Sequence, residues 1–263
     1  MTDGICNNCG VSLVGEFCHR CGQKEADTEW KSVSSIAGQF WDELVSLDFK
    51  APRSIVALFY PGHLAAEFIA GRRGRYLSPL KVYFLAAAIF FLIAPRVTDF
   101  TFERQMALDR DGEFRAQVEA TLAQTQMSRE LYAERFNARL QTIYTITPIF
   151  SVLSAALVLR LLFGRRYPWP GPHMVFALYY VAFMFMVNLF LHGLNEVFEG
   201  LGHGRLMLIL FTLLMPYMFV ALRRVYAEPP GRTFWKTVVL LVLTFLIDVP
   251  INAAAALLSV RLT

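Results

Sequence analysis

The groups in this chain best placed to do chemistry are four thiols, all within the first 21 residues, and the chemistry their spacing supports is metal binding. Cys6, Cys9, Cys18 and Cys21 form C-x2-C-x8-C-x2-C, in which each C-x-x-C brings two thiolates to one tetrahedral ion from a single tight turn. Gly10 and Gly22 directly follow the two pairs, where a positive φ lets the knuckle fold back toward the metal. The spacer has room for one minimal hairpin through residues 11–17, with Gly15 near its turn. The expected occupant is a structural Zn2+; a rubredoxin-like iron site and a redox dithiol are the alternatives. Four thiolates complete a tetrahedron, so His19, inside the second knuckle, is read as an exposed side chain rather than a ligand. A closed ligand set leaves no position for water or substrate, and the module's expected task is to staple a peptide too small to bury its own core.

A second group of polar side chains lies in apolar surroundings. Asn188 and His192 are four residues apart on one apolar window, with Asn195 and Glu196 following, and Asp248 and Asn252 have the same spacing on another. Both windows run in the same direction, and at about 1.5 Å per residue these groups fall at similar depth. An intramembrane cluster of Asn188, His192, Asp248 and Asn252 is therefore expected, either holding helices in register or forming a ligand, ion or proton site. His192, Glu196, Glu199 and His203 match no firm metal pattern. His63 and His173 sit beside Gly/Pro turns and are read as interfacial.

The elements that must carry these groups follow from composition. The chain has 263 residues, of which 56% are hydrophobic and 17% charged, with mean hydropathy +0.43. That is too apolar for an ordinary soluble domain. Apolar windows fall near residues 78–95, 143–163, 174–194, 206–222 and 237–258, each close to the length that crosses roughly 30 Å of hydrocarbon as a helix. The expected fold is thus an all-α polytopic membrane protein of about five spans behind a small four-cysteine ribbon; the count falls to four if the first or fourth window is re-entrant or interfacial. Residues 1–27 are expected to form the ribbon, 28–76 cytoplasmic amphipathic or interfacial helices, and 77–263 the membrane domain, with an extracytoplasmic helical loop at 96–142.

Within the second of these parts, Ile36, Phe40, Leu44 and Leu47 recur at helical spacing over residues 32–50, and shorter apolar stretches at 54–60 and 64–70 end at Pro61-Gly62 and at Gly71. Arg72, Arg73, Arg75 and Lys81 then precede or open the first window and are expected to contact lipid headgroups. The opening MTDGICNNCG has neither the basic nor the apolar region of a secretory signal, so the cysteines are expected in the reducing cytoplasm. With the N-terminus inside, five spans place Arg160, Arg165, Arg166, Arg223, Arg224, Arg232 and Lys236 in the cytoplasm and the C-terminus outside. The 96–142 segment carries seven arginines but also eight acidic residues, and long loops escape the positive-inside rule. Phe114, Val118 and Leu122, then Tyr132, Phe136, Leu140 and Ile143, predict a helical hairpin there, turning near Thr125 to Ser128 and continuing into the second span.

The strings CNNCG, FCHRCGQK and YPGHLAAEFIAGRRGRYLSPLKVYF together resemble an uncharacterised family of bacterial membrane proteins, a domain of unknown function with an N-terminal four-cysteine ribbon and a multi-helix membrane domain. The resemblance covers about the first 90 residues and is architectural beyond them. It implies a bacterial inner-membrane location and a zinc ribbon, and brings no catalytic residues. Functionally the sequence favours an interaction, regulatory or scaffold protein, with membrane lipids and a cytoplasmic protein as partners. A transporter or channel subunit built on the polar cluster is the second reading, and a lipid-modifying enzyme the third. The net charge of +4 argues for no nucleic-acid partner. A single buried carboxylate and a single buried histidine are too little for an acid–base pair, so catalysis is not expected.

Overall fold

A computed structural model describes residues 4–23, 50–97, 101–109, 111–197 and 202–261. The helix expected over 32–50 lies outside the described residues except for Lys50. The described residues form nine helices: α1 (Ala51–Leu58), α2 (His63–Ile69), α3 (Pro79–Val97), α4 (Phe102–Leu108), α5 (Glu113–Thr125), α6 (Arg129–Phe163), α7 (Pro170–Val197), α8 (Gly202–Tyr226) and α9 (Pro230–Arg261). Among the described residues there is no strand, and the ribbon holds one isolated antiparallel bridge, Ile5 to Ser12. Proline opens α3, α7 and α9, at the position where its missing N–H costs nothing and its fixed φ suits the helix.

Among the described residues four helices are long and apolar enough to cross a membrane: α6, α7, α8 and α9. The first expected window is shorter, with its described apolar part at Pro79–Ile93. Its 19-residue helix α3 rises only about 28 Å, just under the hydrocarbon thickness. α3 packs on α7, α6 lies against both α7 and α9, and α9 also touches α8. In α7 61% of the apolar window is buried, against 22% in α9, so α7 is the central helix and α9 turns most of its surface, including Phe245, Leu246 and Val249, outward.

α1 and α2 share the core of this bundle: Leu58, Leu64 and Phe68 belong to one buried cluster with Val82, Leu159, Ala182 and Leu222. One face of α8 clasps the turn between them. The Tyr217 hydroxyl donates to the Leu58 carbonyl at 2.6 Å, Arg224 Nη1 donates to the Pro61 carbonyl at 2.5 Å, and Ala221 between them backs against Gly62. Residues 217, 221 and 224 are spaced i, i+4, i+7 and so project from one side of the helix. The first of these bonds satisfies a carbonyl that α1 leaves open at its C-terminal end, and the second a carbonyl in the turn that follows.

His173, read as interfacial from its Gly/Pro turn, is fully buried within the protein. Its Nε2–H donates to the Tyr167 carbonyl and its Nδ1 accepts from the Tyr226 hydroxyl, both at 2.9 Å. Tyr226 also stacks on Phe163 at 4.1 Å. These contacts tie the 163–170 turn to the end of α8, at the same end of the bundle as α1 and α2.

At the opposite end α4, α5 and the start of α6 enclose a separate core of Phe102, Met106, Val118, Tyr132, Phe136 and Leu140. The hairpin turns where the spacing placed it: Gln126 takes the left-handed C-cap of α5, and Ser128 caps α6 by accepting from the Leu131 amide at 3.3 Å. α6 then runs without interruption into the span. Helix α4 was not foreseen, although its fully buried Phe102 packs against Phe114, Tyr132 and Phe136.

Candidate metal centre

The cysteine module is built by its backbone before its side chains. In the first knuckle the Gly10 amide donates to the Cys6 carbonyl at 2.8 Å and the Cys6 amide to the Val11 carbonyl at 2.9 Å. The second repeats the pattern, with Gly22 donating to Cys18 at 2.8 Å and Cys18 to Gln23 at 2.9 Å. Gly10 and Gly22 adopt φ of 72° and 71°, the left-handed conformation that a Cβ would disfavour. The two glycines therefore do what their position after each cysteine pair suggested.

These knuckles bring all four sulfurs within 4.8 Å of one another. Cys6 Sγ lies 3.6 Å from Cys21 Sγ, and Cys9 Sγ 3.4 Å from Cys18 Sγ. A tetrahedral ion with metal–sulfur bonds of about 2.3 Å requires sulfurs about 3.8 Å apart, so the present set needs shifts of only a few tenths of an ångström along these pairs. All four cysteines are free of disulfides. The Asn8 side-chain amide, followed by the Gln23 backbone amide, holds the Cys21 thiol down to about 6. Cys9 goes the other way: against a lowering backbone hydrogen bond from Val11, burial and the neighbouring sulfurs push it up to about 12. Four thiolates at these separations repel one another, and a divalent cation at their centre removes the conflict.

Cys6, Cys18 and Leu13 are the only buried hydrophobic residues of the described ribbon, so its own core is minimal. The ribbon is nevertheless fixed to the helical body. The Gln23 side-chain amide is 9% exposed and works in both directions, donating to the Gly71 carbonyl at 2.7 Å and accepting from the Arg73 amide at 3.2 Å. The Asn8 side-chain amide lies against Gly74, in the space a Cβ there would take. Metal knuckle and basic loop are thus mated through Asn8, Gln23, Gly71, Arg73 and Gly74.

That docking bears on the residues expected to contact lipid headgroups. Arg72 is held in a two-pronged pair with Glu67, at 2.6 and 2.9 Å; the hydrogen bond from Arg72 keeps the Glu67 carboxyl below its usual range. The Arg73 guanidinium lies 4.6 Å from the Phe68 ring centroid. Arg75 is exposed and Lys81 half-buried. Arg72 and Arg73 are therefore engaged within the protein.

Of the polar groups in the apolar windows, Asp248 accepts a 3.0 Å hydrogen bond from Ser151 of α6, and Tyr180 of α7 lies close enough to interact with Asp248 and Thr244. Asn188 donates to the Met184 carbonyl of its own helix at 2.8 Å. His192 is half-buried, and the Asn252 side chain lies outside the described residues. Asp248→Ala is expected to lower stability in detergent by about 1 kcal/mol, the usual scale of an interhelical polar contact. Asp248→Asn, which retains an acceptor oxygen, should cost less; equal losses in chemical or thermal unfolding would show that charge rather than the Ser151 bond matters.

Residues 50–91 match a family model described as a protein of unknown function, DUF3667. The matched stretch comprises α1, α2, the basic loop and most of α3. No curated protein and no solved structure matches the chain.

Proposed function

We propose that the protein is a membrane-embedded interaction protein of the bacterial inner membrane, with a zinc ribbon that presents a fixed cytoplasmic surface to a protein partner. The observation that carries this reading is the closed four-sulfur site mated by Gln23 to the loop at Gly71 and Arg73. Four sulfurs suit a structural metal and leave no open position for a reaction. The sulfur spacing and the all-thiolate donor set suit Zn2+. Directional bonds to the membrane domain hold the ribbon at one place rather than on a free tether. Its outer surface carries Ile5 and Val14, 67% and 88% exposed, and exposed apolar side chains on so small a module suit protein contact.

Orientation follows from charge. The ribbon end of the bundle gathers Arg53, Arg72, Arg160, Arg165, Arg166, Arg223, Arg224, Arg232 and Lys236, the excess of basic side chains that stays on the cytoplasmic face. The 96–142 segment then faces outward.

A photo-crosslinking residue in place of Val14, in membranes of the native cell, is the test. A single protein adduct that disappears in Cys6→Ser/Cys9→Ser is expected. Adducts to lipid alone, or the same protein adduct without the metal site, would reject the reading.

A further inference from the structure

Beside the clasped turn lies a cleft of about 610 Å3 with no acidic residue in its lining. Its walls come from α1, α2, the loop before α3 and the last turn of α8, and include Arg53, Val56, Tyr60, His63, Tyr76 and Arg224. Two arginines 171 positions apart in the chain, 53 and 224, are brought to one opening. Neither is placed there loosely. The Arg53 guanidinium lies 5.6 Å from the Tyr76 ring centroid. The Tyr76 hydroxyl is 3.0 Å from His63 Nε2, and the two rings meet edge to face. Arg224 is anchored by Nη1 on the Pro61 carbonyl, one of the five N–H donors a guanidinium offers. The nearby Glu67 is engaged by Arg72.

We infer that this cleft binds the phosphate of an anionic membrane phospholipid, with Arg53 and Arg224 as its cationic walls and the His63–Tyr76 pair as its polar floor. Guanidinium groups suit a tetrahedral oxyanion because they donate two parallel hydrogen bonds. The position favours a lipid over a soluble phosphate ester. Val56, Phe59 and Tyr60 are 61%, 50% and 61% exposed on and just after α1, apolar surface adjoining the charged opening. Trp169 and Trp235, 58% and 66% exposed, stand at the start of α7 and in the second turn of α9 at the same end of the bundle. Such tryptophans mark headgroup level. The site is separate from the Arg72–Arg75 run, which lies on the ribbon side of Tyr76.

Native mass spectrometry of the full-length protein in detergent tests this with three probes: phosphatidylglycerol, phosphatidylcholine and glycerol 3-phosphate. Wild type is expected to retain one phosphatidylglycerol at least tenfold more tightly than either other probe. Arg53→Gln/Arg224→Gln should weaken that binding at least tenfold, while Arg165→Gln/Arg166→Gln, an equal charge change outside the cleft at the same end, should leave it within about twofold. Because Arg224 also secures the α1–α2 turn, Arg53→Glu alone serves as a second variant on an exposed side chain, with the same tenfold loss expected. Equal loss in the control pair would reduce the effect to diffuse attraction and overturn the site. So would unchanged binding in Arg53→Glu. Glycerol 3-phosphate bound as tightly as phosphatidylglycerol would overturn the lipid assignment.

Discussion

Detergent-purified protein is expected to contain one zinc per chain, and Cys6→Ser/Cys9→Ser none, with the ribbon unfolded and the helical bundle intact. The effect is large because metal binding and ribbon folding are the same event. Apparent zinc-binding energies of structural sites of this kind run to about 10–16 kcal/mol at neutral pH, whereas the ribbon's other burial amounts to Leu13 and the cysteines themselves. Removing two of four ligands leaves that peptide nothing comparable to fold on. The bundle has its own core from Ala57 to Leu241 and does not draw on the ribbon. Elemental analysis gives the stoichiometry, and alkylation of Cys18 and Cys21, blocked in the wild type and rapid in the variant, reports the fold. Iron with a visible charge-transfer band, or no metal in the wild type, would overturn the zinc assignment.

Gly62→Ala is expected to be the most damaging single change on the helical side. Gly62 has φ of 67°, and a Cβ built there lies 2.6 Å from the Ala221 carbonyl oxygen and 2.8 Å from its Cα. Left-handed backbone costs a residue with a side chain about 1–2 kcal/mol. The contact adds to this because the opposing atoms are main chain of α8 and cannot rotate away. A loss of about 3 kcal/mol or more follows if the turn stays docked, or about 6–12 °C in the apparent unfolding temperature of a chain of this size. Gly231→Ala, where a Cβ meets nothing within 4 Å, is the matched control and should be neutral or slightly stabilising. Similar melting of both variants would show that the clasp on α8 does not hold the turn.

These two sites differ in how far the sequence revealed them. The knuckle glycines were legible because their role is local: Gly10 and Gly22 are adjacent to the cysteines they serve, and the required φ follows from the turn alone. The hairpin turn before Ser128 was legible through helical periodicity on both sides of it. The α8 clasp was not, since Leu58 and Tyr217 lie 159 residues apart and neither a tyrosine in an apolar window nor Ala221 announces a partner. Gly62 was noticed only as a helix stop, and its close approach to Ala221 required the packing of two elements to be known. Phe102 was passed over because α4 is too short for a periodic signal. Asp248 was recognised as costly, but its hydrogen bond from Ser151 was not read from the sequence. Serine in an apolar window carries no warning, and the depth argument fixes height along a helix but not which neighbour it faces; α9 packs on α6 and α8.

The unbroken helix α6 has a mechanical consequence. Its 35 residues make a rod of about 52 Å, roughly 20 Å longer than the hydrocarbon it crosses. One end is gripped by the aromatic cluster around Phe102, and the other reaches Phe163, which stacks on Tyr226 next to the clasped turn. Pro148, inside the helix, removes one of its backbone bonds. Hairpin and clasped turn are therefore joined to the two ends of one continuous helix, about 52 Å apart along its axis.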